Sequence, residues 1–226
     1  HKRGWDAVAF NFRSCSGEMN RTPALYHSGK TEDLHLAIEH ALATRGYKSL
    51  CLIGFSLGAN LTLKYVGERG KNILPQIKSA VGVSAPCDLA SSAKQILRAR
   101  NFVYEKYFLR TMIRKMKIKS PTLPAQIARN IPKVKNLADF DDCFTAPLHG
   151  FRDGADYYAK CSSKRFIADT AVPTLIISAK DDPILAPECF PWEEAAKNPN
   201  LFLEAPDNGG HVGFITFGNG GEYWDE

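Results

Sequence analysis

Short apolar runs alternate with polar, helix-like stretches along this chain. Five apolar runs predict strands, at residues 5–12, 49–54, 77–83, 174–178 and 201–204. The segments between most of them carry the three-to-four-residue apolar spacing of amphipathic helices. Because strands joined by helical crossovers pair in parallel, the pattern predicts an α/β fold with a mostly parallel sheet flanked by helices.

The run at 50–53 has no polar alternation, which predicts a strand buried on both faces of the sheet. It leads directly into Gly54-Phe55-Ser56-Leu57-Gly58, and a helical pattern follows. A strand, a tight turn with serine at its apex and a helix are the context of a nucleophile elbow. We expect the glycines at 54 and 58 to let the strand and the helix pass closely.

Residues 88–163 interrupt the alternation, because no strand pattern occurs there. The segment is helical and basic, with nine Lys or Arg between positions 94 and 119 against one acid, Glu105. The predicted organisation is an α/β core in two parts, residues 1–86 and 166–226, with a helical cap inserted at 87–165. The basic charge indicates a solvated face or, alternatively, weak contact with anionic lipid head groups or acidic substrates.

Composition narrows the function classes. The chain has 226 residues, 44% of them hydrophobic, and a net charge of +5, which is too mild to indicate a nucleic-acid partner. Six scattered cysteines without a C-x-x-C pair predict reduced, mostly buried thiols, Cys51 among them, in a cytoplasmic protein. No spacing of metal ligands and no glycine-rich nucleotide-binding motif occurs, so neither a metal nor a cofactor is expected.

Candidate catalytic side chains follow three of the predicted strands. A nucleophilic serine needs a base and the base needs an orienting acid, in the chain order Ser, acid, His for this fold class. Ser56 follows strand 49–54, the Asp181-Asp182 pair follows 174–178, and His211 follows 201–204. Asp182 is the preferred acid because an apolar return segment follows it, while Asp181 stays the alternative. The backbone N–H of Leu57 is the expected oxyanion donor.

Several motifs together resemble one branch of the α/β-hydrolases, the YheT-like predicted esterases akin to the eukaryotic ABHD lipases. They are Phe12-Arg13-Ser14-Cys15-Ser16-Gly17, Tyr26-His27-Ser28-Gly29, Gly54-Phe55-Ser56-Leu57-Gly58, Phe140-Asp141-Asp142, His149-Gly150, Ala179-Lys180-Asp181-Asp182-Pro183 and Gly209-Gly210-His211-Val212-Gly213-Phe214. The resemblance implies a triad of Ser56, Asp182 and His211. It also implies hydrolysis of acyl esters or lipids through an acyl-enzyme.

The resemblance has two departures. Ser14 stands where the family usually has glycine, at a turn position. The family fold also places further strands before residue 1, one of which carries the second oxyanion donor and lies between the strands predicted at 5–12 and 49–54. We therefore expect a chain truncated at both ends, with a helix beginning near 224–226 and weak or no activity. A catalytically silent binding protein and an acyltransferase with the same triad are the alternative functions, and the sequence leaves the oligomeric state open.

Overall fold

The computed structural model describes residues 4–214. Its centre is a sheet of four parallel strands, which lie side by side in chain order. The strands are β1 (Leu50–Phe55), β2 (Ile77–Val83), β3 (Thr174–Ile177) and β4 (Leu201–Glu204). Four of the five predicted strands and their parallel pairing are therefore confirmed.

Nine α-helices are formed within the described residues. They are α1 (Thr31–Arg45), α2 (Leu57–Arg69), α3 (Leu89–Ile96), α4 (Phe102–Lys119), α5 (Ala125–Ala128), α6 (Leu137–Phe140), α7 (Ala146–His149), α8 (Gly154–Cys161) and α9 (Trp192–Lys197). A π-helical turn, Asp141–Thr145, joins α6 to α7. The described segment between β2 and β3 is helical and contains no strand, as its sequence pattern predicts.

The main core lies between the sheet and the helices on one of its faces. Leu34 and Ile38 of α1 pack with Tyr65 of α2 and Ala80 of β2. Further along, α2 packs on the centre of the sheet through buried apolar side chains, Ala59, Leu63, Ile176 and Leu201. Full burial of a Leu or Ile side chain contributes roughly 1.5–3 kcal/mol, so this face anchors the fold.

The opposite face of the sheet is open at β1, which corrects the prediction of a strand buried on both sides. Burial alternates along β1, and the side chains of Ile53 and Phe55 are 59% and 49% exposed. Cys51, on the same face, is exposed rather than buried. The reason is that α1 and α2 cover the face formed by Leu50 and Leu52. Among residues 4–214, no helix covers the other face of this strand.

The strand predicted at residues 5–12 is not formed. Trp5 and Val8 are 64% and 63% exposed, and the segment carries no strand pairing. A strand requires a neighbour whose N–H and C=O groups match its own. β1 pairs with β2 on one side, and none of the described residues pairs with its other edge. The apolar alternation of 5–12 therefore has no partner within the described chain.

The helices between β2 and β3 have an apolar cluster of their own. Leu109 and Met116 of α4 pack with Phe140 and Phe144 and with Leu25 from the loop before α1. This cluster is separate from those on the sheet, and it buries the side of α4 that carries Leu109 and Met116. The extent of a cap at 87–165 stays a prediction.

Candidate active site

Ser56 occupies a strained turn between β1 and α2. Its backbone has φ 51° and ψ −120°, a conformation rare for a residue with a side chain. Gly54 permits this turn, because a Cβ at that position would lie 2.2 Å from the carbonyl oxygen of Gly58. An added Cβ at Gly58 would meet no described atom within 4 Å outside its neighbours and its own helix. Close approach therefore requires glycine at 54 and, contrary to expectation, not at 58.

The structure brings together the three side chains singled out from the sequence. His211 Nε2 lies 2.8 Å from Ser56 Oγ, and His211 Nδ1 lies 2.8 Å from Asp182 Oδ2. Asp182 is buried, with 3% of its surface exposed. A carboxylate accepts only, so Nδ1 carries the proton and donates to Asp182. Nε2 is then free to accept the hydroxyl proton of Ser56, as a general base must.

The two adjacent aspartates hold different parts of the same loop. Asp182 accepts from the His211 ring through Oδ2, and its Oδ1 accepts the N–H of Ile184 at 2.8 Å. Asp181 instead accepts the backbone N–H of Gly210 at 2.8 Å. Asp182 therefore orients the ring, whereas Asp181 holds the backbone just before it.

Ser84 holds the other side of the His211 loop, a role that the sequence did not suggest. Its hydroxyl accepts the N–H of Val212 at 3.0 Å, and its side chain is fully buried. Ser84 directly follows β2, which neighbours β1, and Ser56 N–H donates to Val83 O at 2.9 Å. The position of Ser84 directly after a predicted strand could have indicated this role, because residues just beyond neighbouring parallel strands lie at the same edge of the sheet.

Leu57 is the first residue of α2, directly after Ser56. The first N–H groups of a helix have no intrahelical acceptor, and the helix N-terminus favours negative charge. The backbone N–H of Leu57 is thus suited to an anionic oxygen formed beside Ser56.

Comparisons with known proteins identify the family of this chain. A family model for the alpha/beta hydrolase fold matches residues 1–217. The chain belongs to the α/β-hydrolase family. The chain is 38% identical over 218 residues to the putative esterase YheT of Escherichia coli (strain K12), with 95% of this chain and 63% of the relative covered. The predicted resemblance to the YheT-like branch is confirmed.

Two further similarities extend the comparison. The chain is 30% identical over 214 residues to phospholipase ABHD3 of Mus musculus, with 94% of this chain and 52% of the relative covered. Its fold is similar to that of the Pyrococcus furiosus esterase Pf2001, with a TM-score of 0.55, 19% identity, and coverage of 93% of this chain and 64% of that one. The chain spans about half to two thirds of the length of these curated relatives.

Asn60 links α2 to two other segments of the chain. Its side-chain Nδ2 donates to the carbonyl oxygens of Ser28 and Cys161, each at 2.9 Å. Its Oδ1 accepts the N–H of Ser163 at 2.9 Å, and Asn60 is fully buried. A buried amide with three good partners fixes the position of α2 beneath Ser56. Sequence reasoning missed Asn60, although a polar residue on the buried face of a helix is a usable signal.

Asp141 is a buried carboxyl in the π-helical turn. Tyr158 and Thr145 donate their hydroxyls to its two oxygens, each at 2.7 Å. Burial raises the pKa of Asp141 to about 6, since the hydrogen bonds only partly offset the loss of hydration. Asp141 therefore links α8 to the turn at the cost of an unfavourable buried charge at neutral pH.

Two other histidines lie together away from Ser56. His27 Nδ1 accepts the N–H of Gly29 at 3.1 Å, and its ring contacts the ring of His149 with centroids 4.3 Å apart. Burial lowers the pKa of His27 to about 3 and that of His149 to about 4. Both rings are therefore neutral at pH 7, and His27 holds the backbone of its loop through the Gly29 N–H.

A cavity of about 1180 Å³ lies among α3, α8 and the π-helical turn, and its lining includes Lys94, Tyr158 and Arg165 but neither Ser56 nor His211. Within residues 4–214, no group of three or more His, Cys, Asp or Glu side chains is arranged to hold a metal ion. Over the same residues, no helix combines the length and apolarity that crossing a bilayer requires.

Proposed function

We propose that this hydrolase cleaves carboxylic esters through a triad of Ser56, His211 and Asp182 and an acyl-enzyme intermediate. The observation that carries the proposal is the pair of 2.8 Å contacts that place one imidazole between the serine hydroxyl and the buried carboxylate. A nucleophile, a base in contact with it and an acid that orients the base are the requirements for activating a serine.

The proposed reaction has two halves. His211 Nε2 takes the proton of Ser56 as its Oγ attacks the ester carbonyl, and the Leu57 N–H stabilises the resulting oxyanion. The imidazolium, stabilised by Asp182, returns this proton to the departing alcohol. Water then loses a proton to His211 and attacks the acyl-enzyme. The bond between the acyl carbon and Ser56 Oγ breaks, His211 returns the proton to Oγ, and the acid is released. Removal of one oxyanion donor costs about 10²–10³ in rate in related chemistry, so a second donor would matter.

The proposed substrates are acyl esters, including lipid-like esters. Relatives named as an esterase and as a phospholipase support this class. Acyl transfer to another alcohol would use the same triad, since only the nucleophile of the second half-reaction differs. A silent binding protein is the less favoured alternative, because ligand binding does not require the hydroxyl–imidazole–carboxylate alignment.

A fluorophosphonate probe tests the proposal, because it reacts with activated serines. We expect labelling of the protein, loss of labelling in Ser56→Ala, and hydrolysis of p-nitrophenyl esters with a preference for one acyl-chain length. Ser163→Ala, which removes a buried serine hydroxyl elsewhere in the fold, serves as the control and should still be labelled. Equal labelling of Ser56→Ala and the parent would refute the assignment, and ester products formed with added alcohols would favour acyl transfer.

A further inference from the structure

The outward side of α4 combines exposed apolar and cationic side chains. Val103 and Tyr107 are 77% and 68% exposed, and Ile118 near the end of the helix is 55% exposed. Leu109 and Met116 on the other side of the helix are buried in the apolar cluster described above. Because residues three and four apart share a helix face, Val103, Tyr107, Arg110, Arg114 and Ile118 form one strip, which we name the α4 strip.

Five cations in or near the α4 strip lack acidic partners among the described residues. Arg110 and Arg114 lie in the strip, Lys117 lies beside it, and Arg98 and Arg100 precede the helix. Within residues 4–214, none of these five side chains forms an ion pair with a carboxylate. The one acid of α4, Glu105, is buried at 5% exposure. The surface therefore presents uncompensated positive charge around apolar side chains.

The start of α4 lies against the loop that carries Asp182. Asn101, which directly precedes the helix, is buried and donates from Nδ2 to Pro183 O at 2.6 Å. Pro183 is the residue after Asp182. The exposed Phe102 and Val103 therefore stand close in sequence and space to a segment that shapes the proposed active site.

We propose that the α4 strip docks the protein onto the surface of an anionic lipid bilayer. Helices that lie at such surfaces bury apolar and aromatic side chains at the acyl boundary and direct Lys and Arg to the phosphates. The proposal deepens the proposed function, because docking beside the Asp182 loop would bring lipid esters to Ser56. The binding step itself requires no catalysis.

Charge argues against a second copy of the chain on the strip, and the exposed apolar side chains argue against nucleic acid. A second copy packed symmetrically on the same surface would bring Arg110 and Arg114 against their own counterparts, which is repulsive. Nucleic acid would attract the arginines, but it leaves the exposed Val103 and Ile118 without an apolar partner. An anionic bilayer satisfies both kinds of side chain.

Vesicle co-sedimentation of the purified protein tests the charge requirement. We expect binding to phosphatidylcholine vesicles that contain phosphatidylglycerol, and much weaker binding to phosphatidylcholine alone. Each cation near an anionic surface strengthens binding about fivefold, so Arg110→Gln/Arg114→Gln should weaken it about 25-fold. Lys48→Gln/Lys71→Gln removes the same charge at exposed sites before β1 and β2, and it should bind like the parent protein.

A second pair of variants tests the apolar requirement. Val103→Gln should weaken binding to anionic vesicles in high salt, where electrostatic attraction is screened. Leu36→Gln, at a site on α1 that is 60% exposed, should leave binding to the same vesicles unchanged. Both sites are exposed, so folding is expected to be retained, which circular dichroism can verify.

The outcomes separate docking from catalysis. Ser56→Ala should bind vesicles fully, and Arg110→Gln/Arg114→Gln should hydrolyse a short water-soluble ester at the parent rate. Equal binding to neutral and anionic vesicles would overturn the proposal, as would equal losses in the test and control pairs. Light scattering that shows a dimer dissociated by Val103→Gln, or release of the protein from vesicles by RNA, would assign the strip to a different occupant.

Discussion

Replacement of Asp182 by Asn tests how the carboxylate acts on the His211 ring while its hydrogen bond to the loop backbone is retained. The Asn Oδ1 can still accept the Ile184 N–H, which Asp182 accepts at 2.8 Å, so the turn should remain folded. The amide NH₂ then replaces Oδ2 opposite His211 Nδ1. Because that group donates, Nδ1 must accept, and the imidazole is forced into the tautomer that carries its proton on Nε2.

The expected loss follows from that tautomer. With a proton on Nε2, His211 cannot accept the hydroxyl proton of Ser56, which lies 2.8 Å away. The imidazolium also loses a buried partner, and a hydrogen bond to a charged group contributes about 1.5–3 kcal/mol. A kcat about 10⁴-fold lower is expected from this substitution in a Ser-His-Asp triad. At 1.36 kcal/mol per tenfold change, this corresponds to about 5.4 kcal/mol of transition-state stabilisation.

Asp181→Asn is the matched control, because Asn can still accept the Gly210 N–H that Asp181 accepts at 2.8 Å. We expect less than about a tenfold loss of kcat, since the His211 ring keeps its partner. Hydrolysis of a p-nitrophenyl ester and the rate of fluorophosphonate labelling measure both variants, with urea unfolding as the check on folding. If Asp181→Asn were as damaging as Asp182→Asn, or if Asp182→Asn kept near-parent turnover, the assignment of the acid would be wrong.

Two further predictions concern stability. Gly54→Ala should lower the free energy of unfolding by about 3 kcal/mol or more, because its Cβ would lie 2.2 Å from Gly58 O. Gly58→Ala should change the free energy measured by urea unfolding by less than about 1 kcal/mol. Equal changes in the two variants would contradict the steric reason. Since the pKa of Asp141 is raised to about 6 in the folded protein from the ordinary 3.8, folding is penalised as pH rises between these values, by up to about 3 kcal/mol. The unfolding free energy of the parent protein should therefore fall between pH 4 and 7, and Asp141→Asn should abolish this fall. Glu193→Gln, a control at an exposed site, should retain it. Parallel pH profiles for the two variants would refute the prediction.

Local sequence determined the strands and the candidate chemistry. Apolar runs bounded by turn residues located β1 to β4, because burial and backbone pairing select such runs wherever a neighbouring strand exists. The positions of Ser56, the aspartate pair and His211, each just after a strand, followed from the same pattern. Parallel strands end at one edge of the sheet, so spacing alone could indicate that these residues converge there.

Only the tertiary structure decided which surfaces are covered and which aspartate faces the ring. An apolar run does not record whether a helix packs on both sides of it, so the exposure of Ile53 was not predictable. The hydrogen-bond partners of Ser84 and Asn60 could not be predicted either, because they are distant from these residues in sequence. Asp181 and Asp182 differ by one position, and only the path of the folded turn directs one carboxylate to His211 Nδ1 and the other to a backbone N–H.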